Sequence, residues 1–295
     1  METALLSVCF ICYNQAPFIR QALDSVLAQK VSFSWEILIA DDRSTDGTRE
    51  IVLDYQSRYP GLIRVLPRDS NLGPARNFID LINSATGKYI AYLEGDDYWT
   101  LDTKLQQQVD FLEENPLFAI CFTDCLEIYS EDPKDPANHL FGGSGSQTVT
   151  SANELIFRNY IQTCTVVFKN NFFKKFPDWY IDLKIGDWPF HLLNAQHGSI
   201  KFLPIVSAVH RNHSSGLWSS RNTLSRIYAV ISMFDKLEQY TTLGKLPNFK
   251  RSKSNIYLSS VKYHLKKGNV FKATRNFFKG VYINPMNLVN RKKPV

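Results

Sequence analysis

The sequence predicts an α/β protein with a mostly parallel sheet flanked by helices, followed by a helical C-terminal region. Short apolar runs alternate with helical patterns in the first half of the chain, which is the signature of βα units. Clusters of Gly and Asp follow these runs, at the sheet edge where open α/β proteins bind ligands. The 295 residues are 44% hydrophobic, which is enough for a large core.

The elements follow from the apolar pattern taken in chain order. Strands are predicted at "LLSVCFIC", "WEILIA", "LIRVL" and "YIAYL", and helices begin near Pro17, Thr48 and Pro74. Proline suits a first helical turn because its missing N–H would have no partner there. Later elements are a helix at 102–115, a strand at 118–123, a long loop at 129–147, a strand at 163–169, a helix at 187–197 and a strand at 200–206.

Charge divides the chain into two regions. The formal net charge is +6, but acidic residues fill the first half and Lys and Arg crowd the segment after Lys245. We predict domains at 1–220 and 221–295, the second a basic helical region. No apolar run approaches the ~18 residues that span a bilayer, and the N-terminus lacks the basic flank of a signal peptide. We therefore expect a cytoplasmic protein.

The five cysteines are predicted to be reduced core thiols. Cys9 and Cys12 have a C-x-x-C spacing, but they lie in an apolar strand pattern and no second C-x-x-C accompanies them. Positions three apart in a strand face opposite sides of the sheet, so the two thiols do not converge on one ligand. Zinc or redox use is the less favoured interpretation.

The segment "YLEGDDYW" places three carboxylates directly after a predicted strand. Side chains at alternate positions share a face, so Glu94 and Asp96 converge while Asp97 points elsewhere. Like charges this close repel, and a divalent cation relieves the repulsion. Oxygen ligands of this kind suit Mg²⁺ or Mn²⁺ held jointly with substrate phosphates. Capping of the following helix is the alternative role for Asp97.

Two further polar segments follow strands. In "DDRSTDGT", a carboxylate of Asp41 or Asp42 can accept the imide N–H of a base such as uracil, while Thr45 or Asp46 can cap the next helix. In "NLGPARN", Arg76 falls in a first helical turn. Its guanidinium suits a phosphate or a base, and a plain surface charge is the alternative.

These segments resemble the inverting family 2 glycosyltransferases of the GT-A fold. The resemblance spans about 5–219 and includes "CYNQAPFIRQALDSVLAQ", "GDWPFHLL" and "VHRNHSSGLWS", in the family's order. It implies a metal-dependent enzyme that moves a sugar from a nucleotide-sugar, expected to be UDP-linked, to a hydroxyl of a glycan or lipid-linked acceptor. Synthesis of a cell-surface polysaccharide is the implied setting.

The resemblance also implies roles for individual residues. It makes Asp187 the general base that takes the proton of the acceptor hydroxyl; a helix cap is the alternative. It makes "EGDD" the D-x-D metal motif with Glu94 in place of the first Asp. The implied donor-binding residues are Tyr13, Asn14, Asp42, Arg76, Glu94, Asp96 and Arg211, and the implied metal ligands are Asp96, Asp97 and His213.

Two other function classes stay open at this point. A sugar-phosphate nucleotidyltransferase also uses Mg²⁺ and an α/β sheet, but it is usually marked by a Gly-rich N-terminal loop, and "VCFICYNQAP" has no glycine. A non-catalytic nucleotide-sugar-binding module is suggested by Glu94 and by Gly186, which precedes Asp187 where the family commonly has Glu. Of Trp99, Trp188 and Trp218, we expect one to contact ligand.

The basic C-terminal region has three candidate partners. Lys and Arg alternate there with Phe, Tyr, Leu and Ile at helical spacing. Peripheral contact with a membrane, self-association and packing against the catalytic domain are all compatible with that pattern. Nucleic acid is not expected as a partner.

Overall fold

The computed structural model describes residues 4–170, 176–213, 216, 218 and 221–288. The chain forms two compact units. The first comprises Met1–Thr150, Tyr160–Asp182 and Leu193–His213, and the second comprises Ser151–Asn159, Leu183–Leu192 and Ser214–Val295. The boundary predicted at residue 220 falls on a position outside the described residues. The second unit also takes two earlier segments of the chain.

The first unit contains the predicted parallel block. Its strands are β1 (Leu6–Cys12), β2 (Trp35–Asp41), β3 (Ile63–Val65) and β4 (Tyr89–Glu94), in the order β3-β2-β1-β4 with every neighbouring pair parallel. The connecting helices are α1 (Ile19–Leu27), α2 (Thr48–Arg58) and α3 (Pro74–Asn83). β1, β2 and β4 are buried on both faces along most of their length, as expected for parallel strands covered by helices.

The rest of the sheet is mixed. Its elements are β5 (Tyr98–Trp99), α4 (Lys104–Glu114), β6 (Phe118–Ile128), β7 (His139–Leu140), β8 (Val149–Thr150), β9 (Val166–Lys169) and β10 (Ser199–Arg211). β9 lies antiparallel between β4 and β6, and β10 is parallel to β6. β6 and β10 are longer than their apolar runs because they pair with each other beyond those runs.

Burial in the first unit matches the apolar periodicity. α1 buries Ile19, Ala22, Leu23 and Val26, which share one helical face at i, i+3, i+4 and i+7. All five cysteines are buried and free, so the prediction of core thiols is confirmed.

The second unit is helical. It holds α5 (Ala152–Leu155), the first part of α6 (Asp187–Ala195), α7 (Thr223–Tyr240), α8 (Phe249–Lys266) and α9 (Val270–Ile283). Ser151 and Glu154 form a capping box at α5, and Asn222 and Asn269 cap α7 and α9. Single 3₁₀ turns occur at Thr163–Thr165, Asp178–Asp182, Thr242–Lys245 and Pro285–Leu288. Within the described ranges, no helix is long and apolar enough to cross a membrane.

Candidate functional site

The loop after β1 is joined to the loop after β2. Asn14 has a left-handed backbone (φ 52°), its N–H donates to Ser44 Oγ at 2.9 Å, and its Oδ1 accepts from the N–H of Thr45 at 2.9 Å. The N–H of Gln15 donates to Thr48 Oγ1 at 2.8 Å. Asn14, which is predicted to bind the nucleotide-sugar, therefore joins the loops after β1 and β2. The half-exposed ring of Tyr13 precedes it in the chain.

Asp41 supports this loop from inside the protein. Its side chain is fully buried, and its carboxylate accepts hydrogen bonds from the hydroxyl and the backbone N–H of Ser44. Arg49 on α2 lies 3.5 Å from the same carboxylate. Sequence reasoning left Asp41 and Ser44 without a role, although the D-x-x-S spacing is a usual turn signal.

Asp42 holds the second predicted segment in place. Its Oδ1 accepts from the N–H of Leu72 at 2.7 Å and its Oδ2 from the N–H of Gly73 at 2.9 Å. Asn71 Nδ2 donates to the carbonyl of Asp42 at 2.9 Å. An ionised carboxylate offers about four lone-pair positions, so the two bonds leave acceptor capacity for a ligand.

Arg76 lies on the element that binds Asp42. Gly73 has a positive φ of 79°, which lets the chain turn directly into α3, and Pro74 occupies the first helical position as predicted. Arg76 is exposed in the first turn of that helix. The structure thus brings Asp42 and Arg76 to one loop and helix start, at the carboxyl edge of β2.

Asp96 and His213 form a carboxylate–imidazole pair across 117 residues of sequence. Asp96 Oδ2 lies 2.9 Å from His213 Nε2, and this hydrogen bond raises the pKa of His213 above that of an ordinary histidine. The His213 ring packs against Phe18 at a centroid distance of 5.2 Å. Carboxylate oxygen and imidazole nitrogen together suit a divalent cation such as Mn²⁺.

The pair does not complete a metal site by itself. Among the residues that the structure describes, no group of three or more His, Cys, Asp or Glu side chains could hold a metal ion. The donor set therefore fits a cation that takes its remaining ligands from substrate phosphate and water, as Mg²⁺ and Mn²⁺ sites in phosphate-binding proteins often do.

Asp97, the next residue after Asp96, is engaged with β10. It is buried, its Oδ1 accepts the N–H of Arg211 at 2.9 Å, and burial raises its pKa well above that of an ordinary aspartate. The metal-ligand role expected for Asp97 stays a prediction. In the structure its Oδ1 also ties the "EGDD" turn to β10.

Arg211 is also used by the fold. Each of its three guanidinium nitrogens donates to a protein acceptor: Nε to Glu131 at 2.8 Å, one Nη to the carbonyl of Asp96 at 2.7 Å, and the other to Gln21. The guanidinium carbon lies 4.5 Å from the centre of the Tyr98 ring. The donor-binding role expected for Arg211 stays a prediction. In the structure its guanidinium also holds the backbone of Asp96.

Glu94 ends β4 and starts a tight turn. Its carbonyl accepts the N–H of Asp97 at 3.0 Å. A Cβ on the intervening Gly95 would lie 2.5 Å from Gln15 Oε1 and 3.0 Å from both Cys12 Cβ and Ile19 Cδ1, so a side chain there would require these neighbours to shift. The side chain of Glu94 is half-buried at the same sheet edge as Asp96.

Asp187 belongs to the second unit. It is the first residue of α6, and its Oδ2 accepts from Asn159 Nδ2 at 2.7 Å. Asn159 was not singled out from the sequence, because a lone Asn in a polar segment carries no pattern. It fixes the orientation of the Asp187 carboxylate.

Two of the three tryptophans considered are core residues. Trp99 Nε1 donates to the carbonyl of Cys164 at 2.7 Å, and Trp188 Nε1 donates to the carbonyl of Leu155 at 2.9 Å. Both are buried, whereas Trp218 is 40% exposed. Of these three, Trp218 is the one whose ring can still accept a ligand.

Comparison with known proteins identifies the family. The model of Glycosyl transferase family 2 matches residues 7–175. The chain belongs to this family. The uncharacterized protein Rv1520 of Mycobacterium tuberculosis is 39% identical over 218 residues, which are 74% of this chain and 62% of that protein. This chain therefore spans less than two thirds of that relative's length.

A second relative and one solved structure extend the comparison. The UDP-Glc:alpha-D-GlcNAc-diphosphoundecaprenol beta-1,3-glucosyltransferase WfgD of Escherichia coli is 32% identical over 115 residues, or 39% of this chain and 44% of WfgD. The mannosyltransferase PcManGT of Pyrobaculum calidifontis, solved with GDP-Man and Mn²⁺, superposes with a TM-score of 0.60 at 16% identity, covering 99% of this chain and 89% of that one. The fold is the predicted GT-A fold.

Proposed function

We propose that this family 2 member is an inverting glycosyltransferase that moves a sugar from a UDP-linked donor to a hydroxyl of a glycan or lipid-linked acceptor, in the synthesis of a cell-surface polysaccharide. The observation that carries the proposal is the Asp96–His213 pair, at 2.9 Å, at the carboxyl end of β4. The name of WfgD, which includes a UDP-sugar donor and a lipid-diphosphate acceptor, supports the choice of donor and acceptor.

The nucleotide is assigned to the loops after β1 and β2. Asp42 retains acceptor capacity for the imide N–H of uracil, and the exposed Arg76 supplies donors beside it. Tyr13 offers an exposed ring for contact with the base, and Asn14 shapes the loop. Glu94, at the end of β4, is assigned to the ribose.

Asp96 and His213 are assigned to a divalent cation, Mn²⁺ or Mg²⁺, together with the donor diphosphate. When bound, the cation offsets the negative charge that develops on the departing phosphate oxygen. Arg211 contributes indirectly, because its bond to the Asp96 carbonyl fixes the position of the ligand. The Mn²⁺ in the PcManGT structure supports a metal of this kind.

Asp187 is assigned as the general base. Its carboxylate takes the proton of the acceptor hydroxyl as the oxygen attacks the anomeric carbon. Asn159 donates to Oδ2 of this carboxylate and so orients the group. A single base acting opposite to the leaving group gives direct displacement, so an α-linked donor yields a β-linked product.

The test is an activity assay on the full chain with UDP-glucose, UDP-N-acetylglucosamine and GDP-mannose, each with Mn²⁺ or with chelator. Release of nucleoside diphosphate that requires Mn²⁺, with one donor preferred, is the expected result. Release of pyrophosphate from a sugar phosphate and a nucleoside triphosphate would instead identify a nucleotidyltransferase. Thermal stabilisation by a nucleotide-sugar without any turnover would identify a binding module.

A further inference from the structure

Helix α9 turns its small residues toward the protein. Ala273, Asn276 and Gly280 are its buried positions, spaced i, i+3 and i+7 on one face. Asn276 Nδ2 donates to Ser260 Oγ on α8 at 2.9 Å, and Ser254 Oγ on α8 donates to the carbonyl of Gly280 at 2.7 Å. The inner face of α9 is thus small and polar, and it is matched to α8.

The opposite face of α9 carries large aromatic side chains. Phe271, Phe278 and Tyr282, here called the aromatic face, are 78%, 65% and 89% exposed. Their spacing of seven and four residues places them on a single stripe of the helix, on the side away from Ala273 and Gly280. A helix that packs only against its own protein normally has the reverse arrangement, with aromatic residues inside.

Basic side chains border the aromatic face. Lys272, Arg275 and Lys279 are exposed and lie along one side of it. After Glu238 the sequence contains 13 Lys and Arg residues and no Asp or Glu, so this part of the chain brings no carboxylate to neutralise them. The surface therefore combines an exposed apolar stripe with charge of one sign.

We propose that the aromatic face of α9 docks on an anionic lipid surface. Aromatic rings prefer the interface between lipid and water, and Lys and Arg are attracted to anionic headgroups. An amphipathic helix with a basic border lies in the plane of such a surface. A second copy of the chain is the less suitable occupant, because each copy brings the same uncompensated positive charge to the contact. This inference goes beyond sugar transfer and does not depend on it.

The experiment is co-sedimentation of the full chain with vesicles of phosphatidylcholine alone or with a quarter phosphatidylglycerol, at low and high salt. We expect binding to the anionic vesicles that weakens as salt rises. The triple variant Phe271→Ser, Phe278→Ser and Tyr282→Ser should bind about tenfold more weakly. The matched control removes two exposed apolar side chains of the first unit, Leu117→Ser and Tyr129→Ser, and should bind like the parent.

A variant of the basic residues separates the electrostatic contribution to vesicle binding from the apolar one. Lys272→Glu, Arg275→Glu and Lys279→Glu together should weaken binding and flatten its salt dependence, while thermal unfolding shows that the fold is kept. Parent-like binding by the triple aromatic variant would overturn the proposal. So would a dimer, seen by light scattering without vesicle binding, that the aromatic variant converts to monomer. Binding to single-stranded nucleic acid in preference to vesicles would overturn it as well.

Discussion

Two Asp-Asp pairs lie at the ends of two strands of the same sheet, and they make different hydrogen bonds. After β2, Asp41 and Asp42 accept hydrogen bonds from Ser44, Leu72 and Gly73. After β4, Asp97 accepts the backbone N–H of Arg211, and Asp96 pairs with His213. The first pair holds two loops in place. The second leaves the partly exposed carboxylate of Asp96 beside the imidazole of His213.

The difference arises from the number of backbone donors near each pair. The amides of Leu72 and Gly73 converge on Asp42. Asp97 is buried with fewer donors, and its Oδ2 has no hydrogen-bond partner among the described residues. Two Asp-Asp pairs of the same composition thus have different environments, because burial and the available hydrogen-bond donors differ at the two strand ends.

Removing the accessible carboxylate should have the largest effect. Asp96→Ala is expected to lower metal-dependent donor turnover by about three orders of magnitude or more, since a cation contributes several kcal/mol at a developing charge. Thermal unfolding should change little. Asp102→Ala, which removes a nearby exposed carboxylate that pairs with Lys30, is the control and should stay active. Full activity of Asp96→Ala in chelator would contradict the metal assignment.

Asp187, which lies outside both Asp-Asp pairs, tests whether sugar transfer needs a general base in addition to the metal. Asp187→Asn should keep donor affinity and lose about a hundred- to ten-thousand-fold in turnover, because the amide cannot take a proton. Asn159→Ala should lower turnover by less, since only orientation is lost, and Asp182→Asn is the control. A collapse of donor affinity with unchanged turnover would make Asp187 a capping or binding residue instead.

The loop-fixing pair should respond in stability, in addition to the loss of donor affinity that the proposed base contact of Asp42 implies. Asp42→Asn places an amide where two backbone N–H groups need acceptors, so we expect the free energy of unfolding to fall by about 1–3 kcal/mol. Asp69→Asn, exposed in the segment between β3 and α3, is the matched control. Denaturant melts of both variants check this. Equal stability of the two would show that the amides of Leu72 and Gly73 do not depend on Asp42.

The smallest expected effect concerns a buried lysine near β5. Lys104 lies 4.6 Å from the centre of the Trp99 ring and donates to Gln108 at 2.7 Å, and burial lowers its pKa to about 7. Between pH 7 and its ordinary pKa of about 10.5, the unfolded chain binds more protons than the folded one, so this group makes stability rise with pH.

Lys104→Met should remove that slope and stabilise the protein by about 1 kcal/mol at pH 7, where the penalty on the charged form is still felt. Denaturant melts from pH 7 to 10 measure both quantities. Lys88→Met, at an exposed lysine that pairs with Glu113, is the control and should keep the parent slope. A parent-like slope in Lys104→Met would show that the buried amine does not titrate in this window.

The sequence determined the order and type of most elements. Pro74 marked the start of α3, and the apolar runs marked β1, β2 and β4. These features are local, because turn geometry and periodicity are set by neighbouring residues. The family motifs are local in the same sense, so the resemblance that they carry implied the GT-A fold and the candidates Asp42, Asp96 and His213.

Only the tertiary structure decided which contacts the predicted site residues make within the fold. It joined Asp96 to His213 across 117 positions, and it engaged Arg211 and Asp97 in the fold. Whether a charged side chain is available depends on its burial and on donors from distant elements, and neither is encoded by spacing. The aromatic face of α9 could not be predicted for the same reason. Helical periodicity places Phe271 and Phe278 on one stripe, but it does not tell which side of the helix packs against the protein.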